Sequence, residues 1–349
     1  MFVLTNFGGI PQGTVVVVDK NIDKTAVADS PRPFAAKQAV ADEIFKVVAR
    51  SAGGITVGIM LAVGLFLSFN GSQAIGSAGF GFLTEQAWHP ESGKFGIAAI
   101  LAGTVTIAII ALCVSFPLAF GTALLISEVL PARLKSILIP LVDLMAAVPS
   151  VIFGLWGVFF LQSNVIPVSQ FLSTFFGWIP FLAVTDPQGH HLTEASAFTS
   201  SAFIAGIVVG LMVVPTQTSV MREAFSQAPV GEREGALALG STRWGMIRAV
   251  VLPFGRGGII GGTMLGLGRA LGETIAVYMI ISPIFTINLQ ILQSGTNSVS
   301  SLIALRYGES TPFGLSALMA AGLVLFLITM VINFTASSIV ARSRSGADN

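Results

Sequence analysis

Six long apolar runs, separated by segments richer in polar and charged residues, dominate the pattern of this chain. Each run approaches or exceeds the roughly 20 residues that an α-helix needs to cross a bilayer. We predict membrane-spanning helices at residues 52–69, 97–127, 134–161, 200–221, 257–281 and 313–340. The second run is long enough to tilt or to bend at Pro117, and Pro149 predicts a kink in the third. The predicted fold class is therefore an all-α, polytopic membrane protein.

A seventh apolar stretch, residues 165–184, is ambiguous. Counting it as a span would place the five arginines of residues 222–256 outside the cell, whereas Lys and Arg favour the cytoplasmic side. Its residues Pro167, Gly177 and Pro180 also suit a broken segment, either re-entrant or interfacial, better than a continuous helix. We therefore predict that this stretch lies on the outer side, and that six spans leave both termini in the cytoplasm.

The composition supports a location in the cell membrane. The chain is 53% hydrophobic and only 10% charged, against about 25% charged in soluble domains. A net charge of +1 without a basic run gives no indication of nucleic-acid binding, and the single cysteine, Cys113, excludes an internal disulfide. We predict a mobile cytoplasmic tail at residues 1–49, a transmembrane domain at 50–341 and a cytoplasmic tail at 342–349.

Residues 222–256 form the most polar segment between apolar runs, and their composition still favours helix. Strong helix formers fill residues 232–239, Gly240 stands where a helix would stop, and Ser241 or Thr242 can cap a second helix that runs to Pro253. The apolar and basic side chains of this helix pair are Leu237, Leu239, Trp244, Ile247, Arg243 and Arg248. Such a helix, glycine elbow and second helix would present a surface that binds a partner.

The fifth run carries a charged pair among many glycines. We predict Arg269 midway along this span, where a charge costs at least about 2.5–3.5 kcal/mol, and Glu273 one turn later as its ion-pair partner. Two roles are open for this pair. The two side chains could simply neutralise each other's charge within the membrane. Alternatively, the guanidinium could donate hydrogen bonds to a passing oxyanion while the negative charge of Glu273 prevents the oxyanion from binding too tightly. The glycines predict close packing against another span, of this chain or of a partner subunit.

Other polar residues carry weaker signals. Asp143, within the third run, fits a structural or a functional role equally well, whereas Glu128 is expected to form a solvated ion pair with nearby Arg133. His190 and His191 are interpreted as solvated loop residues, and no metal site is predicted. The chain lacks a phosphate-binding loop and any hydrolytic arrangement, so we predict a transport subunit that is not itself an enzyme.

Several stretches resemble known transporter families. The spacing of Glu234, Gly235, Ala236 and Gly240 is similar to the Glu-Ala-Ala loop of ABC-importer permeases, with Gly235 in place of the first alanine. Over about three-quarters of the chain, FLTEQAWHPESGKFG, LAFGTALLISEVLPARLK, LVDLMAAVPSVIFGLWG, EREGALALGSTRW and LGLGRALGETIAV resemble the phosphate-specific ABC transporter permeases of the PstC type. This resemblance implies the type I permease architecture of ABC importers.

The resemblance also implies partners and roles. A sister A-type permease, two cytoplasmic ATP-binding subunits and an extracytoplasmic phosphate-binding protein would assemble with the chain in the lipid membrane. ATP and Mg²⁺ would be held by the ATPases, with no cofactor in this chain. Arg269 and Glu273 match the pair associated with the phosphate path, and Asp143 falls where the family more often has Glu. The expected ATPase-docking residues are Glu232, Arg233, Glu234, Gly235, Ala236, Leu237, Gly240, Arg243 and Trp244.

Two alternatives stay open at this point. An ion-coupled secondary transporter could use Arg269 and Glu273 as a proton relay without an ATPase, although it would not need an ordered docking loop. A permease of the same superfamily could instead carry another oxyanion such as sulfate or molybdate, because Arg269 would attract any anion of similar size.

The predicted topology is tested by cysteine labelling. In a Cys113→Ala background, the single variants Ser241→Cys and Gly189→Cys are expected to react with a membrane-impermeant reagent from opposite sides of the membrane. The six-span topology places Ser241 in a cytoplasmic loop and Gly189 in an outer loop. Labelling of both cysteines from outside intact cells would contradict the topology and the cytoplasmic position of residues 222–256.

Overall fold

The computed structural model describes residues 40–186 and 188–345. The chain divides after Gly58 into two units, and of the first unit only residues 40–58, the beginning of the first helix, are described. The predicted N-terminal tail therefore lies mostly outside the described residues.

The helices are α1 (Val40–Ala78), α2 (Gly81–Thr84), α3 (Ala98–Leu124), α4 (Ala132–Ala146), α5 (Ser150–Trp156), α6 (Gln162–Phe176), α7 (Ala202–Ser226), α8 (Val230–Ala238), α9 (Arg243–Met246), α10 (Leu252–Gly272), α11 (Ile275–Ile280), α12 (Val299–Arg306) and α13 (Pro312–Ser345).

Short irregular elements join or extend these helices. Wide π-helical turns at Leu125–Val129, Gly157–Leu161 and Ile247–Val251 extend α3, join α5 to α6 and join α9 to α10. Single 3₁₀ turns lie at Pro90–Ser92, Ala195–Phe198 and Tyr307–Glu309. A small antiparallel hairpin pairs β1 (Trp88–His89) with β2 (Lys94–Phe95).

The predicted number of six spans is confirmed for the described part of the chain. Six helical stretches there are long and apolar enough to cross a membrane: Asp42–Ala78, Ala98–Val129, Ser150–Phe176, Ala202–Ser226, Arg243–Gly272 and Pro312–Ile339. Pro117 lies inside α3, which continues through it to Leu124. Five of these stretches coincide with predicted runs, although most extend beyond the predicted limits.

The third span was predicted wrongly. Residues 134–161 do not form one kinked helix, because α4 ends at Ala146 and Pro149 is the N-cap of α5. Helix α4 has 15 residues, about 22 Å, which is too short to cross a bilayer. The spanning stretch starts instead at Ser150 and takes in the first half of the ambiguous segment, which is helical as far as Phe176. The expected break at Pro167 is also wrong, because this residue lies inside α6.

The fifth span begins earlier than predicted. The helix that follows the glycine elbow does not end at Pro253 but continues from Arg243 to Gly272, a length of about 45 Å. Pro253 lies inside this continuous helix, directly after the π-helical turn Ile247–Val251, where the α-helical hydrogen-bond pattern is already interrupted and the missing proline N–H is accommodated. One continuous rod therefore joins the elbow to the region of Arg269.

Helix α7 is the centre of the packed structure. It contacts α3 and α10 extensively, and its buried residues include Ile204, Val208, Met212 and Val213. Glycines allow the close approach to α3: a Cβ at Gly206 would lie 2.5 Å from Ile110. Without hydrophobic driving force between helices in lipid, this dense packing is the main source of their association.

The predicted close packing of the fifth span is confirmed, and its partner is α7 of the same chain. A Cβ at Gly258 would lie 2.0 Å from the Cβ of Ala224, and one at Gly266 would lie 2.0 Å from the side-chain Nε2 of Gln217. We call this contact the glycine seam; its members on α10 are Gly255, Gly258, Gly262 and Gly266. Gly261, on the same helix, has open space at its Cβ position.

The glycine seam predicts different responses to two matched substitutions. Gly258→Ala should destabilise the chain by about 1–3 kcal/mol, because the added methyl group overpacks the contact with α7. Gly261→Ala should be neutral or stabilise the helix by up to about 1 kcal/mol, because the methyl group enters open space. Thermal unfolding of the detergent-purified chain measures both. Equal stability of the two variants would contradict the proposed packing.

Candidate functional site

Arg269 lies in the last turn of α10, three residues before the helix ends at Gly272. The predicted position midway along a helix is therefore wrong. Its Nη1 donates a hydrogen bond of 3.4 Å to Oγ1 of Thr216 on α7, and the side chain is half-buried. Helix carbonyls at a C-terminus carry partial negative charge, which favours a cation in the last turn.

Glu273 does not pair with Arg269 in the structure. Among the described residues, the only ion pairs join Asp186 to His190 and Glu128 to Arg233. The predicted i, i+4 geometry fails because the helix breaks at Glu273, whose backbone is extended. Its Oε1 instead accepts a hydrogen bond of 3.3 Å from the N–H of Ala276, at the start of α11. Each charge thus occupies the helix end that its sign favours.

Arg269 also lines a cavity of about 540 Å³ between α10 and α13. Thr329 and Asn333 supply the other polar side chains, and Gly268 and Gly272 form part of the wall. Among the residues that the structure describes, no carboxylate lines this cavity. A guanidinium with neutral hydrogen-bonding neighbours is a suitable environment for an oxyanion.

Asp143 lies on α4 and contacts the same side of α7 as Arg269 does. Its Oδ1 accepts a hydrogen bond of 2.9 Å from Oγ of Ser219, three residues after Thr216. Residues three apart are neighbours on one helix face, so α7 brings two of the three predicted path residues towards each other. Glu273 stands apart, at the start of α11.

The polar run of α7 that makes these contacts was not among the predicted site residues. The polar run Thr216–Ser219 interrupts the apolar part of α7, residues 202–221, and this interruption was the available signal. Gln217 and Thr218 are fully buried, and their side-chain polar atoms have no hydrogen-bond partner among the described residues. Burying polar groups without hydrogen-bond partners in a packed bundle costs free energy. This cost makes the run a candidate for a functional role.

The predicted helix, elbow and second helix are present at the other end of α10. Gly240 has a φ of +84°, a conformation that favours glycine. Thr242 caps the second helix by accepting a hydrogen bond of 3.1 Å from the N–H of Gly245. Four exposed side chains, Leu237, Leu239, Arg243 and Trp244, form what we call the elbow surface.

Two residues predicted for this surface lie elsewhere. Ile247 is buried in an apolar cluster with Phe225 and Val251, because it faces the bundle from the π-helical turn. Arg233 turns inward, where its Nη1 lies 3.2 Å from Oε2 of Glu128. The expected solvated pair between Glu128 and Arg133 is therefore wrong, since Glu128 is 3% exposed and its partner comes from α8.

The remaining docking candidates keep their places near the elbow. Glu232, Glu234 and Gly235 are exposed on α8, and Ala236 is half-buried against the same apolar cluster. The structure leaves their role in docking as a prediction.

At the opposite end of α7, the loop with the two histidines is ordered by a carboxylate. Oδ1 of Asp186 accepts hydrogen bonds from the N–H groups of His190 at 2.7 Å and Gln188 at 3.0 Å. These donors, that of His190 above all, hold the pKa of Asp186 below its usual range. Nδ1 of His190 lies 3.1 Å from the second oxygen.

Comparison with known proteins places this architecture in a family. The family of binding-protein-dependent transport system inner membrane components matches residues 115–345. The chain belongs to this family. The matched region contains Glu128, Asp143, Arg233, Arg269 and Glu273.

Similar proteins cover nearly the whole chain. The phosphate transport system permease protein PstC 2 of Mycobacterium tuberculosis is 36% identical over 309 residues, which are 87% of this chain and 93% of that protein. The phosphate transport system permease protein PstC of Xylella fastidiosa is 34% identical over 297 residues, 85% of this chain and 89% of that protein. A solved bacterial ABC transporter involved in alginate import matches with a TM-score of 0.49 at 18% identity, over 86% of this chain and 99% of that one.

Membership of the inner membrane component family confirms the predicted class. The chain is an all-α, multi-pass membrane protein and a transport subunit, with the permease fold expected from its resemblance to ABC importers. The residues that pack α7 against α10 lie within the part that defines the family.

Proposed function

We propose that this chain is the membrane-spanning permease subunit of an ATP-driven importer of inorganic phosphate. The observation that carries this proposal is the likeness to phosphate permeases over 85–87% of the chain. Phosphate near neutral pH carries one to two negative charges, so its passage through a low-dielectric region requires fixed positive charge and hydrogen-bond donors.

Arg269 is the residue best suited to this task. It bears no ion-pair partner among the described residues, and its cavity offers Thr329 and Asn333 as further hydrogen-bonding groups. Its hydrogen bond to Thr216 is long, and the acceptor is an uncharged hydroxyl. An oxyanion can therefore compete with Thr216 for the guanidinium. We assign Asp143 and Glu273 to the same path as negative groups that limit the retention time of the anion.

The elbow surface is proposed to bind a cytoplasmic ATPase. Its exposed Leu239 and Trp244 supply apolar anchors, and Arg243 supplies a charge at the rim. The ATPases would hold ATP and Mg²⁺, because this chain has no phosphate-binding loop of its own. A sister A-type permease would complete the path, and an extracytoplasmic binding protein would deliver phosphate to the opposite face. This orientation puts both termini in the cytoplasm.

Uptake of labelled phosphate by cells that express Arg269 variants tests the proposed path. At matched membrane levels, Arg269→Gln is expected to lower uptake by about tenfold to a hundredfold, the effect of losing hydrogen bonds to a charged group. Arg269→Lys should retain part of the transport, because it keeps the charge but loses the planar fork. The matched control Lys94→Gln removes a positive charge from the exposed hairpin and should leave uptake unchanged.

Two outcomes would contradict the proposal. Normal uptake by Arg269→Gln would remove Arg269 from the path and leave it a structural residue. Inhibition of uptake by sulfate or molybdate at concentrations equal to that of phosphate would assign the importer to another oxyanion, since the guanidinium itself does not discriminate among them.

A further inference from the structure

The ion pair between Glu128 and Arg233 ties α8 to two membrane helices. Glu128 lies in the π-helical turn that ends α3, and Arg233 lies on α8. Besides Nη1, which bonds to Glu128, the guanidinium uses Nη2 to donate a hydrogen bond to the backbone carbonyl of Phe225. Phe225 is in the last turns of α7 and is itself fully buried. One side chain thus connects α3, α7 and α8.

This tie is buried at the base of the elbow. The Glu128 side chain is 3% exposed and that of Arg233 19%. Oε1 of Glu128 and Nε of Arg233 have no hydrogen-bond partner among the described residues. Burying charges with incomplete hydrogen bonding is a poor way to stabilise a fold, because an apolar pair of similar volume would serve as well or better. A buried ion pair is better suited to fixing one arrangement of the elements that it joins.

Helix α8 depends on this contact for its position. It has no buried residue, and only Ala236 packs partly against the apolar cluster around Phe225. Its main contacts with other helical elements are with α9 and with the π-helical turn that follows. Without the guanidinium, little would hold the direction of α8 relative to the ends of α3 and α7.

We propose that Glu128 and Arg233 are positioning residues that transmit movement of the elbow surface to α3 and α7. This inference rests on the proposed function, since it assumes that an ATPase binds the elbow surface. A displacement of α8 by the bound ATPase is passed through the guanidinium to both helix ends at once. Helix α7 carries Thr216 and Ser219, so the movement reaches the residues that contact Arg269 and Asp143.

The test removes both charges together. Glu128→Gln with Arg233→Gln leaves no unpaired buried charge, so the full chain should accumulate normally when it is expressed with the rest of its importer. We expect the ATPase to co-purify in normal amounts, and the phosphate transported per ATP hydrolysed to fall by about tenfold, a typical strength of coupling between sites. Glu223→Gln, at the same end of α7 but exposed, is the matched control and should leave this ratio unchanged.

A spectroscopic measurement separates positioning from general stability. In a Cys113→Ala background, spin labels on Val230→Cys in α8 and Leu118→Cys in α3, both exposed positions, should give a broader distance distribution in the double variant than in the chain with Glu128 and Arg233 intact. If the double variant fails to accumulate, Arg233→Lys takes its place. Lysine keeps the charge, but its single ammonium group cannot reproduce the two-pronged guanidinium contact with Glu128 and the Phe225 carbonyl.

The possible results are distinguishable. An unchanged ratio of transport to hydrolysis together with an unchanged distance distribution overturns the inference and leaves the proposed function intact. Failure of the ATPase to co-purify with the parent chain overturns the proposed function itself. The role of the pair is supported if the double variant binds the ATPase normally but transports less phosphate per ATP hydrolysed. Arg233→Lys should then show a ratio between those of the double variant and the parent chain.

Discussion

The architecture depends on the close contact between α7 and α10 along the glycine seam. Because Gly258 and Gly266 bear no side chain, the backbones approach closely enough for Ala224 and Gln217 of α7 to fill the space. This contact holds a helical rod of about 45 Å against the centre of the bundle. The rod begins at the elbow and ends at Gly272, three residues after Arg269, so the same packing positions both candidate functional regions.

The helix break at Glu273 gives a physical reason for the two charges beside it. A carbonyl-rich helix end favours Arg269, and the N–H groups that begin α11 favour Glu273, each effect being about 0.3–1 kcal/mol. Irregular backbone of this kind within a bundle is tolerated where it lines a cavity. Two residues that have the spacing of a neutralising pair in the sequence are therefore not paired in the structure, and no carboxylate among the described residues forms an ion pair with the Arg269 guanidinium.

Local patterns in the sequence predicted much of this fold. Hydropathy predicted six spans, the positive φ at Gly240 followed from a helix-stop signal, and glycine spacing predicted a close helix contact. The errors concern choices that local patterns do not contain. Pro149 stands between two helices as the N-cap of α5, whereas Pro117 and Pro167 lie inside helices, and the local sequence around a proline does not decide between these outcomes.

Local sequence patterns also did not show which charged residues form ion pairs. Glu128 pairs across 105 positions with Arg233 and not with nearby Arg133, and the contact exists only because α8 begins where α3 and α7 end. Arg269 and Glu273 have the spacing of a helical ion pair, but the helix stops between them. The polar run at the centre of α7 was visible in the sequence, although its connection to Arg269 and Asp143 required the fold.

The central claim, that this permease imports phosphate at the expense of ATP, is tested most directly by reconstituting the complete importer in proteoliposomes. With its binding protein and labelled phosphate on the outside, accumulation should require ATP inside the vesicles and should persist when ionophores abolish all ion gradients. Phosphate accumulation without ATP that stops when the ion gradients collapse would contradict the account and identify an ion-coupled transporter.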